Sequence, residues 1–479
     1  MPKTLHCVTA FLACLWTSGF SAGADRDSQP PNIIYIMVDD LGYGDLRCFG
    51  QERIQTPRLD ALAREGLRMT DHYAGHTVCR PSRLVLWTGK HVASTGLIGN
   101  RSRSLTGNET TVAKCLQEAG YATGGVGKWA LGHVEDEAEI DNPGHPCHNG
   151  FDFWMGYMNQ SNAHNFYPTH LWKNFEKVPL KGNVLLEDPQ ARGRVSKERV
   201  TYSHDVMTDE ALDFIRRHRD RPFLLHVHWT IPHANNEGGR VTGDGMEVPD
   251  YGIYANQDWP NPEKGFAAMI TRMDGDVGRM VDLLRQLELD DNTLLIFTSD
   301  NGPHKEGGHD ADFFDSNGPL TGTKRSMHEG GIRVPMIAWW PGTIEQGRTS
   351  DHPSAFCDFL PTACEIAGAD APKEIDGLSY LPTLLDRPED QAQHSHLFWA
   401  SQEGDTDIGI RRGDWKLVRY RKPKKAKSDE PDWRLYRLDV DISEKHDLAY
   451  DFPEVVADIQ QLAEDDLRRV APLLSNRSR

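Results

Sequence analysis

Long apolar runs and positive charge are both scarce in this chain of 479 residues. After residue 24, no stretch approaches the roughly 18 uninterrupted apolar residues that a membrane-spanning helix needs, so we expect no membrane partner. Lys and Arg number 53 against 71 Asp and Glu, and the formal net charge is −18. An acidic surface disfavours nucleic-acid binding. The 38% hydrophobic, 26% charged composition excludes a largely disordered, collagen-like or low-complexity chain.

The first 24 residues have the pattern of a secretory signal peptide. Lys3 is their only charge, an apolar stretch runs from Val8 to Trp16, and Ala-Gly-Ala at 22–24 forms a small-residue cleavage site. We therefore expect a secreted or periplasmic protein. The cysteines that remain are Cys48, Cys79, Cys115, Cys147, Cys357 and Cys364. Their even number is compatible with three disulfides, whereas chemistry at one of them would leave at least one unpaired.

Short apolar runs alternate with helical patterns along most of the chain. The Ile- and Val-rich runs are Asn32–Val38, Tyr121–Val126, Phe223–Trp229, Thr293–Thr298 and Val334–Trp340. The helical patterns cover 56–66, 110–119, 204–217 and 266–287. Continuous apolar runs are typical of strands buried on both faces. The alternation predicts an α/β fold, with a large, mostly parallel or mixed sheet sandwiched by helices.

The pattern changes near residue 389. Segments 397–399, 408–418 and 433–438 resemble antiparallel strands, and an amphipathic helix follows Pro453. The basic segment 421–427 between them is typical of a solvated loop, with contact to a polyanionic substrate as the alternative. We expect a catalytic α/β domain over 25–388 and a smaller C-terminal domain, an antiparallel sheet plus a helix, over 389–479.

Polar side chains follow the carboxyl ends of the predicted strands, where ligands bind in parallel sheets. They are Asp39, Asp40, Lys128, His233, Asp300 and Asn301. Any one of them alone would be typical of a turn, but together they indicate a site. The oxygen donors among them favour Ca²⁺ or Mg²⁺ over zinc. A cation would also offset the repulsion between converging carboxylates.

The most specific motif is Cys-Arg-Pro-Ser-Arg at 79–83, followed by Thr-Gly at 88–89. Pro81 suits the first turn of a helix, and a cysteine at a positive helix end would favour the thiolate. A disulfide partner or a buried thiol is the simpler alternative for Cys79. With this motif, the chain resembles the type I, formylglycine-dependent, arylsulfatase-like sulfatases of the alkaline-phosphatase superfamily. Further matching segments are 39–44, 127–129, 232–233, 299–302, 324 and 329–335.

The resemblance implies an alkaline-phosphatase-like fold and a sulfuric ester hydrolase. Cys79 would be oxidised to formylglycine (3-oxoalanine) by a formylglycine-generating or anaerobic sulfatase-maturing enzyme, and the aldehyde hydrate would attack sulfur. A serine at this position would instead keep a stable sulfate ester. One Ca²⁺ per chain would be bound by Asp39, Asp40, Cys79, Asp300 and Asn301.

Charge and the match to the family assign the other catalytic roles. Arg83, about one helical turn after Cys79, would orient the hydrate. Lys128 and Lys324 would hold the sulfuryl oxygens, and His233 would protonate the departing alcohol. The substrate would be an alkyl or aryl sulfate ester, more specifically a sulfated saccharide. A phosphonate monoester or phosphodiester hydrolase with the same nucleophile is the alternative; the intact motif argues against a non-catalytic glycan-binding relative.

Histidines raise two further points. Many family members carry His two residues after the lysine that corresponds to Lys128, but this chain has Ala130. The base that triggers sulfate release is therefore open, with His133 and His309 as candidates. Loops 156–168 and 304–310 combine amides, aromatic rings and imidazoles, which suits a sugar. We expect His164 and His309 to bind substrate; the alternative is that they only pin loop structure.

Overall fold

The computed structural model describes residues 29–99, 105–132, 140–401, 407–420 and 432–475. The predicted signal peptide, His133 and the basic segment 421–427 lie outside these residues. Within the described ranges, no helix combines the length and the apolar character that crossing a membrane requires.

The elements are named in chain order. The strands are β1 (Asn32–Asp39), β2 (Leu67–Tyr73), β3 (Ala122–Lys128), β4 (Phe153–Tyr157), β5 (His170–Lys173), β6 (Glu176–Pro179), β7 (Val184–Leu185), β8 (Ser196–Glu198), β9 (Phe223–Pro232), β10 (Thr293–Ser299), β11 (Arg333–Trp339), β12 (Arg348–Ser350), β13 (Ser354–Ala355), β14 (Leu397–Ser401), β15 (Asp407–Arg412), β16 (Trp415–Tyr420) and β17 (Asp432–Arg437). The α-helices are α1 (Pro57–Glu65), α2 (Cys79–Thr88), α3 (Val92–Thr95), α4 (Val112–Glu118), α5 (Ser203–His218), α6 (Asn236–Thr242), α7 (Asn261–Gln286), α8 (Glu329–Ile332), α9 (Phe359–Ile366), α10 (Leu381–Leu384) and α11 (Pro453–Ser475).

One large mixed sheet forms the centre of the molecule. Its strand order is β12-β2-β11-β10-β1-β9-β3-β4-β5-β6, and β13 pairs with β2. The central strands β10, β1, β9, β3 and β4 are parallel, whereas β11 and β5 add to them antiparallel. The predicted α/β fold is confirmed.

Helices cover both faces of this sheet. Ile33, Tyr35 and Met37 of β1 enter one core together with α2, α4 and α9. Ile34 and Ile36 enter the opposite core with α5 and α7. Alternate side chains of a strand point to opposite faces, so a strand that contributes to both cores reads as a continuous apolar run.

The C-terminal part contains a second sheet. Strands β14, β15, β16 and β17 pair antiparallel in sequence order, and α11 follows them. We refer to β14–β17 as the C-terminal sheet. Its apolar side chains, such as Leu417 and Leu435, belong to the same core as α2 and α9. The predicted antiparallel sheet with a C-terminal helix is confirmed.

The parallel strands end at one edge of the large sheet. β1 ends at Asp39 and β10 at Ser299, immediately before Asp300. The predicted strand Tyr121–Val126 is observed as Ala122–Lys128, so Lys128 is itself the last residue of its strand. These ends carry the polar residues of the candidate site.

Candidate active site

Two neighbouring strand ends bring the acidic residues together. The backbone N–H of Asp300 donates to the Val38 carbonyl at 3.0 Å. In return, the N–H of Asp40 donates to Asp300 Oδ1 at 3.2 Å. Asp40 adopts a left-handed backbone with φ of 67°, a conformation that few non-glycine residues adopt and that is associated with functional sites.

Cys79 faces this acidic cluster from the first turn of α2. Its Sγ lies 3.2 Å from Asp39 Oδ1 and 3.9 Å from Asp40 Oδ1, and the residue is fully buried. Burial, reinforced by the Asp300 and Asp39 carboxylates, raises the pKa of the Cys79 thiol well above its ordinary value. The expectation of a thiolate at a positive helix end is therefore wrong for the unmodified side chain, because a helix end supplies only about 0.3–1 kcal/mol.

Three cations lie against the carboxylates. Lys128 Nζ is 2.6 Å from Asp39 Oδ2, and Lys324 Nζ is 2.7 Å from Asp40 Oδ2. Arg83 donates from Nη2 to Asp300 Oδ2 at 2.8 Å and from Nη1 to the Lys128 carbonyl at 2.7 Å. These predicted residues therefore surround one point, although their sequence positions span almost 300 residues.

Burial and charge act against each other on the carboxylates. Burial alone would raise the pKa of Asp39, but Lys128 and other nearby cations lower that pKa well below its ordinary value. Burial and the neighbouring Asp39 raise the pKa of Asp300 to about 7. The protein's own cations thus do not fully compensate the cluster, which is the situation in which a bound metal ion stabilises converging carboxylates.

Asn301 supplies the observation that fits a metal ion. Its Nδ2 donates to Asp40 Oδ1 at 2.7 Å, whereas its Oδ1 is buried without a hydrogen-bond partner. Ligand atoms of Asp39, Asp40, Cys79 and His233 lie within 4.8 Å of one another. A buried amide oxygen beside carboxylates is a donor set that hard cations prefer, so these residues fit a divalent ion.

His233 occupies the side of the cluster near Lys324. Its Nδ1 donates to the Ala234 carbonyl at 2.6 Å, which leaves Nε2 as the acceptor for Lys324 Nζ at 3.1 Å. Nε2 also lies 3.3 Å from Asp40 Oδ2. Burial, followed by the charge of Lys324, lowers the pKa of His233 to about 3, so the imidazole is neutral in this arrangement.

The two predicted substrate-binding histidines have different surroundings. His164 stacks on His233 with ring centroids 4.8 Å apart, and its Nδ1 lies 3.0 Å from Glu237 Oε2. His309 is buried, lies 2.6 Å from a Glu263 carboxylate oxygen and stacks on Phe266 at 3.8 Å. His164 thus borders the candidate site, whereas the contacts of His309 favour the alternative that it pins its loop.

Sequence reasoning missed one charged residue of the site. Glu306 Oε2 lies 3.5 Å from Lys324 Nζ and 3.8 Å from His233 Nε2. The only signal was the composition of loop 304–310, which did not single out this carboxylate. At Ala130, where family members carry His, the backbone has φ of 67° and the carbonyl accepts from Arg80 Nε at 2.9 Å.

Comparisons with known proteins agree with this geometry. The family profile described as Sulfatase matches residues 31–369, and that of the N-sulphoglucosamine sulphohydrolase C-terminal region matches 322–471. The chain is 31% identical to N-acetylgalactosamine-6-sulfatase of Canis lupus familiaris over 442 residues, 85% of this chain and 75% of that protein. It is 32% identical to arylsulfatase D of Homo sapiens, over 77% of this chain and 70% of that protein.

Solved structures agree with the sequence matches. The crystal structure of Ps i-CgsB in complex with k-i-k-neocarrahexaose is similar with a TM-score of 0.75 and 26% identity, covering 91% of this chain and 93% of that one. The phosphonate monoester hydrolase of Agrobacterium radiobacter has a TM-score of 0.61 and 18% identity over 92% of this chain and 96% of that one. The latter likeness extends to the fold alone.

Proposed function

We propose a reaction mechanism and a substrate class for this chain, which belongs to the sulfatase family and is a sulfuric ester hydrolase. The observation that carries the proposal is the position of Cys79, whose Sγ lies within 4 Å of both Asp39 and Asp40 while Lys128 and Lys324 contact the same two carboxylates. The nucleophile position, the acidic cluster and two buried cations therefore lie next to one another. Hydrolysis of a sulfate ester needs all three: a nucleophile, a metal site and positive charge at the sulfuryl oxygens.

Two groups would complete this site. Asp39, Asp40 and Asp300 with the Asn301 Oδ1 would hold one Ca²⁺. When present, formylglycine at position 79 supplies a hydrated aldehyde as the oxygen nucleophile, and the ion lowers the pKa of that nucleophile. The protein's contribution is a buried, preorganised cluster of oxygen ligands.

The remaining residues bind and orient the substrate. Lys128 and Lys324 would donate to the sulfuryl oxygens, where a buried positive charge stabilises the transition state more than it would in water. Arg83 would fix Asp300 and the Lys128 main chain, since it contacts both. His233 would protonate the leaving oxygen through Nε2, because its Nδ1 is engaged by Ala234. Since Nε2 accepts from Lys324 in the free site, it would take up that proton only after the anionic substrate engages Lys324.

Sulfated saccharides are the proposed substrate class. Among the similar proteins are an N-acetylgalactosamine-6-sulfatase and a protein crystallised with a neocarrahexaose. His164, half-buried and held by Glu237 beside His233, offers an imidazole that suits a sugar hydroxyl. We also propose export by the predicted signal peptide, conversion of Cys79 by a sulfatase-maturing enzyme, and the domain boundary near residue 389.

A substrate panel tests this proposal. The protein, coexpressed with a maturing enzyme, is assayed on 4-nitrophenyl sulfate, defined sulfated saccharides, and an aryl phosphonate monoester and a phosphodiester. We expect the sulfate esters to be preferred. A clear preference for the phosphorus esters would overturn the assignment and favour the alternative.

A further inference from the structure

The loop that carries Lys324 rests on the C-terminal sheet. A Cβ on Gly409 of β15 would lie 3.4 to 3.6 Å from atoms of Met327, so Met327 packs directly on that strand. His328, the next residue, hydrogen-bonds to the Tyr420 hydroxyl at the end of β16. Two successive residues of the loop therefore contact two neighbouring strands.

The start of the same loop is held by the segment after β17. The Thr321 hydroxyl donates to the Ser443 carbonyl at 2.5 Å. The Ser443 hydroxyl donates to the Pro319 carbonyl at 2.7 Å. Both ends of the loop are thus fixed to the C-terminal part of the chain.

Glu329 connects the loop that carries Lys324 to the C-terminal sheet through a buried ion pair. Its Oε1 lies 2.6 Å from Lys416 Nζ of β16, and both side chains are fully buried. Its Oε2 accepts from the Tyr73 hydroxyl at 2.6 Å and from Arg333 Nη1 at 3.2 Å. Its backbone N–H donates to Glu444 Oε2 at 2.7 Å. The carboxylate is therefore fixed in position by partners from several elements.

These contacts belong to a buried, charge-balanced network. Asp71 bridges Arg333 at 2.5 Å and Arg411 at 2.6 Å, and Lys416 also lies 3.3 Å from Glu444. The three acids and three bases are Glu329, Glu444, Asp71, Lys416, Arg333 and Arg411. Burying charges costs solvation energy, so a buried ion network is weak evidence for stability. Its role can instead be to hold the surrounding residues in one conformation, which has to be tested in each protein.

The loop is also locked against the acidic cluster. The N–H of Lys324 donates to the Pro303 carbonyl at 2.9 Å, and the N–H of Gly302 donates to the Gly331 carbonyl at 3.1 Å. A Cβ on Gly302 would lie 1.9 Å from the Gly330 carbonyl oxygen, so the two turns touch with no space between them. A displacement of Glu329 would therefore move Lys324 relative to the strand end that carries Asn301.

We propose that Glu329 and Lys416 are positioning residues for Lys324. Through Glu329, the C-terminal sheet holds the Lys324 ammonium beside Asp40, which makes this sheet part of the active-site frame. The inference rests on the proposed role of Lys324 in binding the sulfuryl group. Within the described residues, the Lys416 ammonium lies against Glu329 and Glu444, neither of which is a predicted catalytic residue. Lys416 would therefore act on Lys324 only through these two carboxylates.

The test is the double variant Lys416→Met/Glu329→Gln, which removes one charge of each sign and keeps the network balanced. We expect faster deuterium exchange in residues 319–332, weaker binding of inorganic sulfate, and a KM for 4-nitrophenyl sulfate raised by about 10-fold or more, since small displacements of a binding group are costly. KM does not depend on how much of the sample is folded, so a variant that only lowered the folded fraction would leave KM unchanged.

The matched control is Asp276→Asn on α7. Asp276 is a buried carboxylate that contacts His204 and Arg279, both at 2.8 Å. Its helix packs in the core on the opposite side of the sheet from Met327. This control is expected to lower the unfolding midpoint but to leave exchange in 319–332, sulfate affinity and KM unchanged. A folded double variant with wild-type exchange, sulfate affinity and KM would overturn the proposal.

Two further outcomes remain decisive. Should the double variant not fold, Tyr420→Phe removes one hydroxyl from His328, and we expect a KM increase of roughly 3-fold for one lost hydrogen bond; no change would overturn the proposal. Should the wild type bind sulfate but not hydrolyse sulfate esters, the proposed function would fail, while exchange and sulfate affinity in the variants would still decide the positioning role.

Discussion

Replacing Lys128 by Met removes a fully buried positive charge from the proposed sulfuryl site with little change in volume. Lys128 Nζ lies 2.6 Å from Asp39 Oδ2, and neither side chain is more than 2% exposed. An ammonium within roughly 4 Å of a developing negative charge interacts with it by about 4 kcal/mol at an effective dielectric constant near 20. Removing one buried donor from such a site lowers kcat by about 10²–10³-fold. We therefore expect a loss of that size.

The same substitution leaves Asp39 buried without its nearest cation. Breaking a buried ion pair by removing one partner costs about 3–5 kcal/mol of stability, so the unfolding midpoint should also fall. The control is Lys173→Met, which removes a lysine that is 41% exposed and lies 3.1 Å from Glu210. A surface pair of this kind contributes about 0–1 kcal/mol, so this control should change neither property measurably.

The assay compares kcat and KM for 4-nitrophenyl sulfate with the midpoint of thermal unfolding followed by circular dichroism. Fully folded Lys128→Met protein with a kcat within about 3-fold of wild type would refute the assignment of Lys128 to the sulfuryl group. A loss of activity that follows the loss of folded protein, with unchanged kcat per folded molecule, would refute it equally.

Other predictions concern the nucleophile, the ion and a histidine outside the site. Peptide mass analysis of matured protein should find position 79 lighter than cysteine, and Cys79→Ser should lose multiple turnover; a fully active serine variant would contradict the elimination step. Asp300→Ala should lose metal and activity together, and metal content equal to wild type would remove Asp300 from the ligand set. Burial lowers the pKa of His394, but the Asp358 carboxylate, 2.8 Å away, outweighs burial and raises that pKa above its ordinary value. Its stabilisation is complete below about pH 6.5 and is lost as the pH rises through the raised pKa, so His394→Gln should lower the unfolding midpoint more at pH 5.5 than at pH 8.5.

The fold and the acidic half of the site could be read from local patterns. Strands buried on both faces appear in the sequence as apolar runs, and the residue after each run lies at the ligand-binding edge. Asp39, Asp300 and His233 were predicted in this way. The end of β3 was placed two residues early because its Gly-rich sequence around Lys128 resembles a turn, whereas tertiary pairing with β4 and β9 continues the strand.

Other features depend on contacts that no local pattern contains. Glu329 and Lys416 are 87 residues apart, and the sequence does not distinguish a buried charged residue from an exposed one. The protonation of Cys79 was predicted wrongly because the helix-end effect is visible in the motif, while the burial that outweighs it is a property of the assembled fold. His309 likewise lies in a polar loop, and only packing places it against Phe266.

Local charge reconciles an acidic protein with an anionic substrate. The site holds four carboxylates, those of Asp39, Asp40, Asp300 and Glu306, against four cations, Lys128, Lys324, Arg83 and Arg325, the last of which lies 2.6 Å from Glu306. With all of them ionised, this cluster has no net charge, and the proposed divalent ion would give it two positive charges. A sulfate monoester carries a single negative charge and would offset one of them. The formal net charge of −18 therefore describes the whole chain, whereas substrate binding depends on this local balance, which is positive only with the ion bound.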